Sequence, residues 1–477
     1  MNNLMESQAL NAWLVKTLLD SDNPEQLAIS GSDYALTWRE LGEAVVRWAK
    51  NYQQHNPQHN VPVVLYGHQQ AEFAVALYSC LLHRIPYVPV DYIYPAERLK
   101  EICELASAPL YYDVVQQAFV ATGVVAKPLE QQDLAYTMFT SGSTGKPKGV
   151  QIGRESVWGF IQWVGKDFFL PEKPVLMNHA VFSFDLSLIP LLANLAKQGH
   201  LVLNAKEDIA RDGWLDTLKA KKVSAWISTP SFAYQKLLSP QFNADELSEL
   251  QVFVFIGEVL NKALVKQLRR RFPQAKIINS YGPTEATIAT TVIEITDEIL
   301  ANDSDLLPIG HMMPDSRMEV TEEGELVIWG KNVMRGYLGL AEENLQKLLV
   351  RQDGEWRGYR TGDLGFEAGH LYCTGRNDSQ IKLNGYRIEI SEIENRILAI
   401  PGIQEAVVMP LMKAGGGVLR IAAFCVTRLT AEDIKSELAK VVPAYMVPGQ
   451  IVIKEVLPLN PNGKIDRKLL DAQARVC

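Results

Sequence analysis

Short runs of apolar residues alternate with amphipathic runs along most of the chain. Residues 61–91 contain VPVVLYG, then AEFAVALYSCLL, then PYVPVD, which is typical of a buried strand, a helix and a second buried strand. Further apolar runs of strand length are LAYTMFT, HLVLN, SAWIS, VFVFIG and KIINSYG, with helical segments such as NKALVKQLRRRF between them. Strands buried on both faces and separated by helices indicate mostly parallel sheets. The pattern therefore predicts a layered α/β fold.

The pattern changes near Gly375. Residues 391–394 (SEIE) form a capping-box pattern that predicts the start of an amphipathic helix, ISEIENRILAI. The runs EAVVMPL and VLRIAAFCVT flank KAGGG and predict a hairpin. Residues 430–433 (TAED) predict a second helix, whose apolar face carries Ile434, Leu438, Val441 and Val442. We expect a large N-terminal domain of layered α/β subdomains over residues 1–376, and a small, mobile α+β C-terminal lid domain over residues 377–477.

Bulk composition excludes several function classes. Hydrophobic residues make up 47% and charged residues 21% of the 477 residues, which is ordinary for a globular protein. The net charge of −8 argues against a nucleic-acid partner. The five cysteines are scattered and lack CxxC spacing, so they indicate neither a metal site nor a disulfide framework and favour a reduced, cytoplasmic location. The N-terminus lacks the basic region of a signal peptide, and the longest apolar stretch, residues 73–82, is too short to insert across a membrane.

A loop rich in hydrogen-bond donors follows the strand LAYTMFT. It reads TSGSTGKPKG over residues 140–149. Its hydroxyl and amide donors can surround phosphate oxygens, and Lys146 and Lys148 add positive charge. The spacing does not match the GxxxxGK[ST] pattern of P-loop NTPases. A surface turn is the alternative interpretation, but the density of donors favours phosphate binding.

Two further motifs each place a carboxylate in a turn. Residues 280–285 (SYGPTE) follow the strand KIIN, so Glu285 is well placed to hold Mg²⁺ by one oxygen while phosphates supply others, and Tyr281 offers a flat face to a base. Residues 359–363 (YRTGD) place Asp363 after a glycine turn, where it can accept hydrogen bonds from ribose hydroxyls. Either motif alone is also consistent with a solvated turn.

Two motifs lie in the C-terminal part of the chain. Residues 375–389 (GRNDSQIKLNGYRIE) stand where the composition changes, and Gly and Asp at such a junction suit a hinge. A plain polar connection between strands is the alternative. Residues 460–466 (NPNGKID) place Lys464 on a tight turn, from which its charge could reach a reacting phosphate. An exposed turn lysine is the alternative for this residue taken alone.

Together and in this order, the five motifs resemble those of the acyl-adenylate-forming superfamily, which includes acyl-CoA ligases, luciferases and the adenylation domains of nonribosomal peptide synthesis. The resemblance runs from LTWREL at residue 36 to Lys464, nearly the whole chain. It implies an AMP-forming ligase that uses ATP and Mg²⁺ to make an acyl-adenylate and then transfers the acyl group to a thiol.

One segment resembles the amino-acid-activating branch of this superfamily. Residues 182–187 read FSFDLS, and the resemblance implies that Asp185 pairs with the substrate's α-ammonium. A helix N-cap before LSLIPLLANLA is the alternative role for Asp185. The chain also resembles D-alanine–carrier protein ligases in the segments STPSF, GEVL, YGPTEAT and QIKLNGYRIE. This resemblance implies a stand-alone amino-acid adenylation enzyme.

The resemblance also implies the lining of the amino-acid pocket. The expected lining residues are Asp185, Leu186, Ile189, Ile227, Val254, Ile256, Ser280, Ile288 and Ala289. Apart from Asp185 the lining is nearly all aliphatic, so a charged substrate side chain is disfavoured there. Ile256 stands where D-alanine–carrier protein ligases have a Cys, so the pocket is expected to be small or differently shaped. We expect alanine of either hand, glycine or proline as substrate, and Ser280 leaves serine open.

Nucleotide and catalytic roles follow from the same resemblance. The expected ATP-binding residues are Thr140, Ser141, Gly142, Ser143, Thr144, Gly145, Lys148, Gly257, Glu258, Asn279, Tyr281, Asp363 and Arg376. The expected catalytic residues are Lys464, Glu285, Thr284 and Lys382, with Glu285 also the Mg²⁺ ligand and Asp378 the hinge. Lys464 would contact the carboxylate and the α-phosphate, and Lys382 would lie near the adenylate in the second step.

The acyl acceptor is expected to be the phosphopantetheine thiol of a carrier protein acting in trans. Little sequence follows Lys464, and it contains no GxDS-like pantetheine site. This organisation suits nonribosomal peptide synthesis and antibiotic biosynthesis. The alternative is an acyl-CoA ligase for a small carboxylic acid, in which Asp185 only caps a helix. A non-catalytic nucleotide-binding protein is disfavoured because Glu285, Asp363 and Lys464 are all present.

Overall fold

The computed structural model describes residues 2–56, 60–142, 146–302, 304–350, 356–378, 380–412, 417–458 and 465–476. The strands are β1 (Leu27–Ser30), β2 (Ala35–Thr37), β3 (Val63–Gly67), β4 (Tyr87–Asp91), β5 (Leu110–Asp113), β6 (Ala118–Ala121), β7 (Leu134–Thr140), β8 (Lys148–Gly153), β9 (Val175–Asn178), β10 (His200–Leu203), β11 (Ala225–Ser228), β12 (Val252–Phe255), β13 (Lys276–Tyr281), β14 (Thr291–Glu294), β15 (His311–Met312), β16 (Ser316–Val320), β17 (Glu325–Gly330), β18 (Gly336–Tyr337), β19 (Leu348–Val350), β20 (Arg357–Ala368), β21 (His370–Arg376), β22 (Gln380–Leu383), β23 (Tyr386–Glu389), β24 (Ile403–Met412), β25 (Val418–Thr427) and β26 (Gln450–Lys454).

Helices of varied length connect these strands. They are α1 (Asn2–Leu19), α2 (Trp38–His55), α3 (Ala71–His83), α4 (Ala96–Leu105), α5 (Arg154–Asp167), α6 (Leu188–Lys197), α7 (Lys206–Ile209), α8 (Trp214–Ala220), α9 (Pro230–Lys236), α10 (Lys262–Arg271), α11 (Asp297–Ala301), α12 (Ala341–Lys347), α13 (Ile390–Leu398), α14 (Ala431–Ala439) and α15 (Arg467–Val476). Short 3₁₀ turns occupy Asp185–Ser187, Thr284–Ala286 and Ala444–Met446. Within the described ranges, no helix is both long and apolar enough to cross a bilayer.

Backbone packing divides the chain into two compact units. The large unit comprises Met1–Asp91, Cys103–Met138 and Gly149–Asn377, and the small unit comprises Tyr92–Ile102, Phe139–Lys148 and Asp378–Cys477. The small unit therefore includes two segments from the N-terminal half of the chain. The predicted division into domains at residues 376 and 377 stays a prediction, because compact packing alone does not show which parts fold or move independently.

Three sheets build the large unit. The first has the order β15-β14-β13-β12-β11-β9-β10-β1-β2, and its strands from β13 to β1 run parallel. The second has the order β18-β8-β7-β4-β3-β5-β6, with parallel pairing of β7, β4, β3 and β5. The third, formed by β16, β17, β20, β19 and β21, is antiparallel. The predicted class, layered α/β with mostly parallel sheets plus a small α+β unit, is confirmed; the antiparallel third sheet was not predicted.

Buried apolar runs explain the parallel sheets. Strands β11, β12 and β13 carry apolar residues on both faces, and nearly all of their residues are buried. Ile227 pairs in register with Val254, and Val254 pairs with Ile278. Because parallel strands end at the same edge, the residues that follow β11, β12 and β13 come together there.

The small unit contains the predicted hairpin and helices. Strands β24 and β25 are antiparallel, and β26 adds to β25 in parallel. The second helix predicted to start at residues 430–433 is α14. It begins with a capping box, in which Thr430 Oγ1 accepts from Asp433 N–H and the Asp433 carboxylate accepts from Thr430 N–H.

The capping box expected at residues 391–394 is wrong. Helix α13 begins at Ile390 with Glu389 as its N-cap, so Ser391 lies inside the helix. Glu394 accepts a hydrogen bond from Val408 N–H of β24 at 2.9 Å instead of closing a cap. A tertiary contact to a strand therefore replaces the local bond that the sequence pattern favours.

Candidate active site

The predicted amino-acid pocket lies at the carboxyl edge of the nine-stranded sheet. All nine predicted lining residues are buried, and their apolar members belong to one hydrophobic cluster. Ile227 and Val254 come from neighbouring strands, and Ile256 directly follows β12. Gly257 has φ +90°, and a Cβ on it would lie 3.6 Å from Thr229 Cγ2 and 3.9 Å from Leu186 Cδ1. The structure therefore places Ile227, Val254 and Ile256 next to one another, with Leu186 close to Gly257.

Asp185 opens the 3₁₀ turn that precedes α6. It is 8% exposed, and the N-cap of α6 is Ser187. The alternative role of Asp185 as the N-cap of that helix is therefore wrong. Burial and the nearby Asp185 carboxylate raise the pKa of the fully buried Tyr136 phenol well above its usual range.

The loop after β13 has unusual backbone geometry. Thr287 and Ile288 adopt φ of +58° and +71°, in the left-handed region that β-branched residues rarely occupy. Such conformations cost about 1–3 kcal/mol each and persist where the surroundings enforce them. Gly282 permits the fold of this loop, because a Cβ there would lie 2.6 Å from Ala289 Cα. The two strained residues closely follow Glu285, the predicted Mg²⁺ ligand, and one of them, Ile288, is a predicted lining residue of the pocket.

Glu285 is the carboxylate predicted to hold Mg²⁺. It is 1% exposed, and its Oε1 accepts a 2.6 Å hydrogen bond from the Tyr337 hydroxyl, which lies 3.3 Å from the Tyr359 hydroxyl. Among the described residues, no group of three or more His, Cys, Asp or Glu could hold a metal alone. The hard oxygens of Glu285 fit Mg²⁺ when substrate phosphates and water supply the other ligands, which is the usual arrangement for that ion.

Asp363, Tyr281 and Arg376 form a hydrogen-bonded group. The Tyr281 hydroxyl donates to Asp363 Oδ2 at 2.6 Å, and Arg376 Nη1 donates to Asp363 Oδ1 at 2.6 Å. Burial and the Asp363 carboxylate raise the pKa of Tyr281 well above its usual range, so it remains a neutral donor. Each carboxylate oxygen has a second lone pair that can accept from a sugar hydroxyl. The predicted adenine and ribose residues are thus adjacent and oriented.

Two other predicted adenine residues have structural partners. Asn279 Nδ2 donates to the Pro308 carbonyl at 2.8 Å. Glu258 Oε2 accepts from Ser231 N–H at 3.1 Å, near the start of α9. These bonds fix both side chains beside the ends of β12 and β13.

The phosphate-loop residues belong to the small unit. Ser141 Oγ donates to the Arg387 carbonyl and accepts from Glu389 N–H, both at 3.0 Å. Gly142 N–H donates to Glu392 Oε2 at 2.9 Å, and the same carboxylate pairs with Arg98 at 3.0 Å. Thr140 ends β7 and Lys148 begins β8, while Ser143, Thr144 and Gly145 lie outside the described residues. Protein groups therefore hold the described donors Ser141 and Gly142 in this arrangement.

The remaining predicted residues are in the C-terminal part. Lys382 pairs in register with Arg387 across the β22–β23 hairpin, whose turn residues Asn384 and Gly385 have φ of +51° and +84°. Both positive values match a type I′ turn, which the Asn-Gly sequence favours. Asp378 is exposed and accepts from Gln380 N–H at 3.2 Å. Lys464 lies outside the described residues.

Sequence reasoning missed Tyr337 and the segment before it. Tyr337 is 52 residues from Glu285, the carboxylate to which it donates. A single Tyr in a two-residue strand has no chemical signature of its own, so only the fold could reveal the contact. A cavity of about 730 Å³ beside β14 and β15 was also not predicted, and none of the described site residues lines it.

Comparisons with known proteins identify the family. The AMP-binding enzyme profile matches residues 20–122 and 113–338, and the profile of the AMP-binding enzyme C-terminal domain matches residues 392–464. The chain is 35% identical to a D-alanine–D-alanyl carrier protein ligase of Bacillus velezensis, over 97% of this chain and 99% of that protein. It is 36% identical to the ligase of the same name from Bacillus licheniformis, over 95% and 97% of the two chains.

Solved structures show the same fold. A Vibrio cholerae adenylation domain in complex with glycyl-adenosine-5′-phosphate has a TM-score of 0.82 at 19% identity, covering 98% of each chain. A nonribosomal peptide synthetase protein containing adenylation and PCP domains has a TM-score of 0.81 at 24% identity, covering 97% of this chain and 83% of that one. The predicted resemblance is confirmed, and the chain belongs to the AMP-binding enzyme family, as a ligase similar over nearly its whole length to D-alanine–D-alanyl carrier protein ligases.

Proposed function

We propose that this chain adenylates a small amino acid with ATP and transfers the aminoacyl group to the phosphopantetheine thiol of a separate carrier protein. D-alanine is the first candidate substrate, because the curated relatives at 35–36% identity are named for it. Glycine, L-alanine and proline are the other candidates. An identity of this size along the whole chain supports a shared reaction more strongly than a shared substrate.

The observation that carries the proposal is the burial of the Asp185 carboxylate. The other residues of the predicted pocket lining are nearly all aliphatic and also buried. A carboxylate attracts a cation more strongly in a buried site than in water, and the α-ammonium group of an amino acid is a suitable cation. The apolar residues around Asp185 disfavour a charged substrate side chain. The pocket chemistry thus supports a compact, apolar amino acid.

The first half-reaction needs positioning and positive charge. The amino-acid carboxylate attacks the α-phosphorus of ATP in line, forming a new P–O bond as the bond to pyrophosphate breaks. A carboxylate is already ionised at neutral pH, so no base is required. In this proposal Lys464 contacts the carboxylate and the α-phosphate oxygens, while Thr284 and the loop residues Thr140 to Lys148 orient the phosphates. Bound Mg²⁺ would neutralise phosphate charge, and Glu285 would hold it.

The nucleoside is oriented by the group already described. Tyr281 presents its ring to adenine with Gly257, Glu258 and Asn279, while Asp363 accepts from the ribose hydroxyls. Arg376 holds the Asp363 carboxylate by the 2.6 Å hydrogen bond, which fixes the direction of its remaining lone pairs. Preformed acceptors of this kind lower the ordering cost of binding.

The second half-reaction transfers the aminoacyl group. The thiol sulfur attacks the carbonyl carbon and releases its proton to water, the bond from that carbon to the phosphate oxygen breaks, and AMP leaves with the electron pair. In this proposal the C-terminal part turns about Asp378, which withdraws Lys464 and brings Lys382 near the adenylate. The phosphopantetheine arm would enter beside Gly385 and Tyr386.

Two side chains set the expected substrate size. Ile256 is bulkier than Cys at the corresponding place, which favours glycine or alanine over longer side chains. The Ser280 hydroxyl donates to the Thr291 carbonyl at 2.7 Å, so a serine substrate could only donate to it. Discrimination by one methylene is modest, roughly 10- to 200-fold, so more than one small amino acid is expected to react.

An acyl-CoA ligase for a small carboxylic acid is the second candidate function. It required Asp185 to serve as the N-cap of α6, and that position belongs to Ser187. A substrate without an amine would gain nothing from the buried carboxylate. The acyl-CoA alternative is therefore the weaker one.

Amino-acid-dependent exchange of pyrophosphate into ATP tests the proposal. The assay would use both enantiomers of each common amino acid, with short carboxylic acids for comparison. We expect the highest exchange with D-alanine, L-alanine, glycine or proline. Exchange with carboxylic acids alone, or with a charged amino acid above all others, would overturn the proposed substrate class.

A further inference from the structure

We propose that Arg357 is a positioning residue for the candidate active site. Arg357 donates hydrogen bonds to residues 331–335, here called the brace. The brace is in turn hydrogen-bonded to residues 285–287 of the strained loop. Arg357 would thereby fix Glu285 and Ile288 without touching substrate itself. Its catalytic consequence rests on the proposed function, whereas the mechanical connection does not.

The Arg357 guanidinium binds three carbonyls of the brace. Its Nε donates to Val333 O at 3.0 Å and to Met334 O at 2.9 Å. Its Nη2 donates to Val333 O at 2.8 Å and to Lys331 O at 3.4 Å. The flat fork of an arginine can serve several acceptors at once, which a lysine ammonium cannot do with the same geometry.

A buried carboxylate orients this guanidinium. Glu155, in the first turn of α5, has a side chain of 0% exposure, and its Oε1 lies 3.2 Å from Arg357 Nη2 and 2.9 Å from Arg335 Nη2. The Arg357 side chain is 20% exposed. Glu155 therefore forms ion pairs with Arg357, which binds the brace, and with Arg335, which is part of the brace.

The brace binds three consecutive residues of the strained loop. Thr287 Oγ1 donates to Asn332 O at 2.6 Å, Asn332 Nδ2 donates to Ala286 O at 3.2 Å, and Met334 N–H donates to Glu285 O at 2.8 Å. These bonds end one residue before Ile288, whose side chain is buried in the pocket region. Because Thr287 and Ile288 adopt unfavourable φ values, the loop needs outside contacts to keep this shape.

This arrangement distinguishes positioning from general support. An arginine that only stabilised the fold would affect the loop no more than other parts of the large unit. Arg357 instead reaches the Glu285 carbonyl through one intermediate residue, Met334, and the Thr287 hydroxyl through the brace backbone. Displacement of a reacting group by about 1 Å can lower a rate roughly 100-fold, so loosening the brace should reduce the rate of adenylation.

The test compares Arg357→Lys, Thr287→Val and the double variant in the full chain. Thr287→Val keeps the branched shape and removes the hydroxyl that donates to Asn332. Arg317→Gln is the matched control, because Arg317 lies in the same antiparallel sheet, is about half exposed and faces solvent near Trp329. Hydrogen–deuterium exchange of peptides covering residues 284–290 is measured with pyrophosphate exchange at saturating and limiting amino acid.

We expect Arg357→Lys and Thr287→Val each to raise deuterium uptake in residues 284–290 and to lower kcat for exchange about 10-fold, with little change in KM for ATP. The double variant should have about the same kcat and deuterium uptake as either single variant, because both substitutions act through the same set of hydrogen bonds. Unchanged uptake in residues 284–290 for Arg357→Lys, or a double variant whose kcat falls by the product of the single effects, would overturn the inference. Absence of amino-acid-dependent exchange in the unchanged chain would refute the proposed function, and the uptake measurement would still decide the mechanical connection.

Discussion

At the scale of single residues, Asp185 carries the amino-acid specificity of the proposal. Its carboxylate is buried beside aliphatic side chains, so its charge has a large effect on what can bind. Asp185→Asn keeps the volume and removes the charge. We expect exchange at limiting amino acid to fall about 100-fold or more, chiefly through KM for the amino acid, with KM for ATP retained. Kinetic titration of both substrates measures this.

Asp212→Asn is the control for that prediction, since Asp212 is exposed. Equal losses in the two variants would mean that the effect does not come from the pocket. A rise in KM for ATP alone would assign Asp185 to the nucleotide instead. Either result would contradict the proposed role.

In the proposal, Lys464 takes part in adenylation and not in transfer. Lys464→Ala should lower adenylation by on the order of 10²–10³, because a positive charge aimed at the transition state is lost. Transfer from synthetic aminoacyl-AMP to a phosphopantetheinylated carrier should remain near the original rate. Pyrophosphate exchange and intact-mass measurement of the carrier follow the two steps, and parallel loss of both would refute the role of Lys464 in adenylation alone.

At the residue scale, the pocket lining was expected from the family resemblance and not from local pattern. Ile227, Val254 and Ser280 lie near the carboxyl ends of β11, β12 and β13, so the parallel sheet accounts for their place at one edge. Their partners were less predictable, because those contacts join distant parts of the chain. The Asp363 carboxylate accepts a hydrogen bond from the hydroxyl of Tyr281, which is 82 residues away in the sequence. Glu285 likewise accepts a hydrogen bond from the Tyr337 hydroxyl. Such pairs depend on the fold and not on spacing.

At the scale of elements, we expect the turn after β13 to determine the shape of the candidate site. Gly282 lies where a Cβ would be 2.6 Å from Ala289 Cα and 2.8 Å from Thr290 N, which are backbone atoms that cannot move aside cheaply. Gly282→Ala should lower the free energy of unfolding by about 1–3 kcal/mol and displace the Thr284 to Ala289 loop, with loss of exchange. Thermal unfolding and exchange kinetics measure the two effects.

Gly449→Ala provides a comparison for that substitution. A Cβ at Gly449 would have its nearest neighbours at 3.9 Å, an ordinary contact distance. We expect stability and exchange near those of the unchanged chain. Normal activity in Gly282→Ala would show that the tight approach does not determine the loop.

Helices and strands were predictable where a short stretch of sequence determines them. The hairpin of β24 and β25 and the start of α14 near Thr430 were both predicted from local sequence patterns. The cap expected at Ser391 failed because Glu394 bonds to a strand distant in sequence. The antiparallel sheet around β20 was missed because β16, its edge strand, is only partly buried and has just two apolar residues, Met318 and Val320.

At the scale of the whole molecule, the proposed reaction requires two arrangements of one chain. In the proposal, Lys464 serves the first half-reaction and Lys382 serves the second. Asp378→Pro fixes φ near −65° at the predicted hinge and should block rotation there. We expect one half-reaction to fall about 10-fold or more while the other is retained. Separate assays of exchange and carrier loading measure this.

Asp378→Asn is the matched control, because it leaves backbone rotation free. It should support both half-reactions. Equal activity of the Pro and Asn variants in both assays would contradict a hinge at this residue.

The most direct test of the account compares substrates that differ only in the ammonium group. Pyrophosphate exchange would be measured with D-alanine and glycine, and with propionate and acetate, their analogues without the amine. We expect exchange with at least one of the amino acids and at least about 100-fold less exchange with its analogue, because the analogue lacks the positive charge that Asp185 would attract. Equal or greater exchange with the analogues would contradict it.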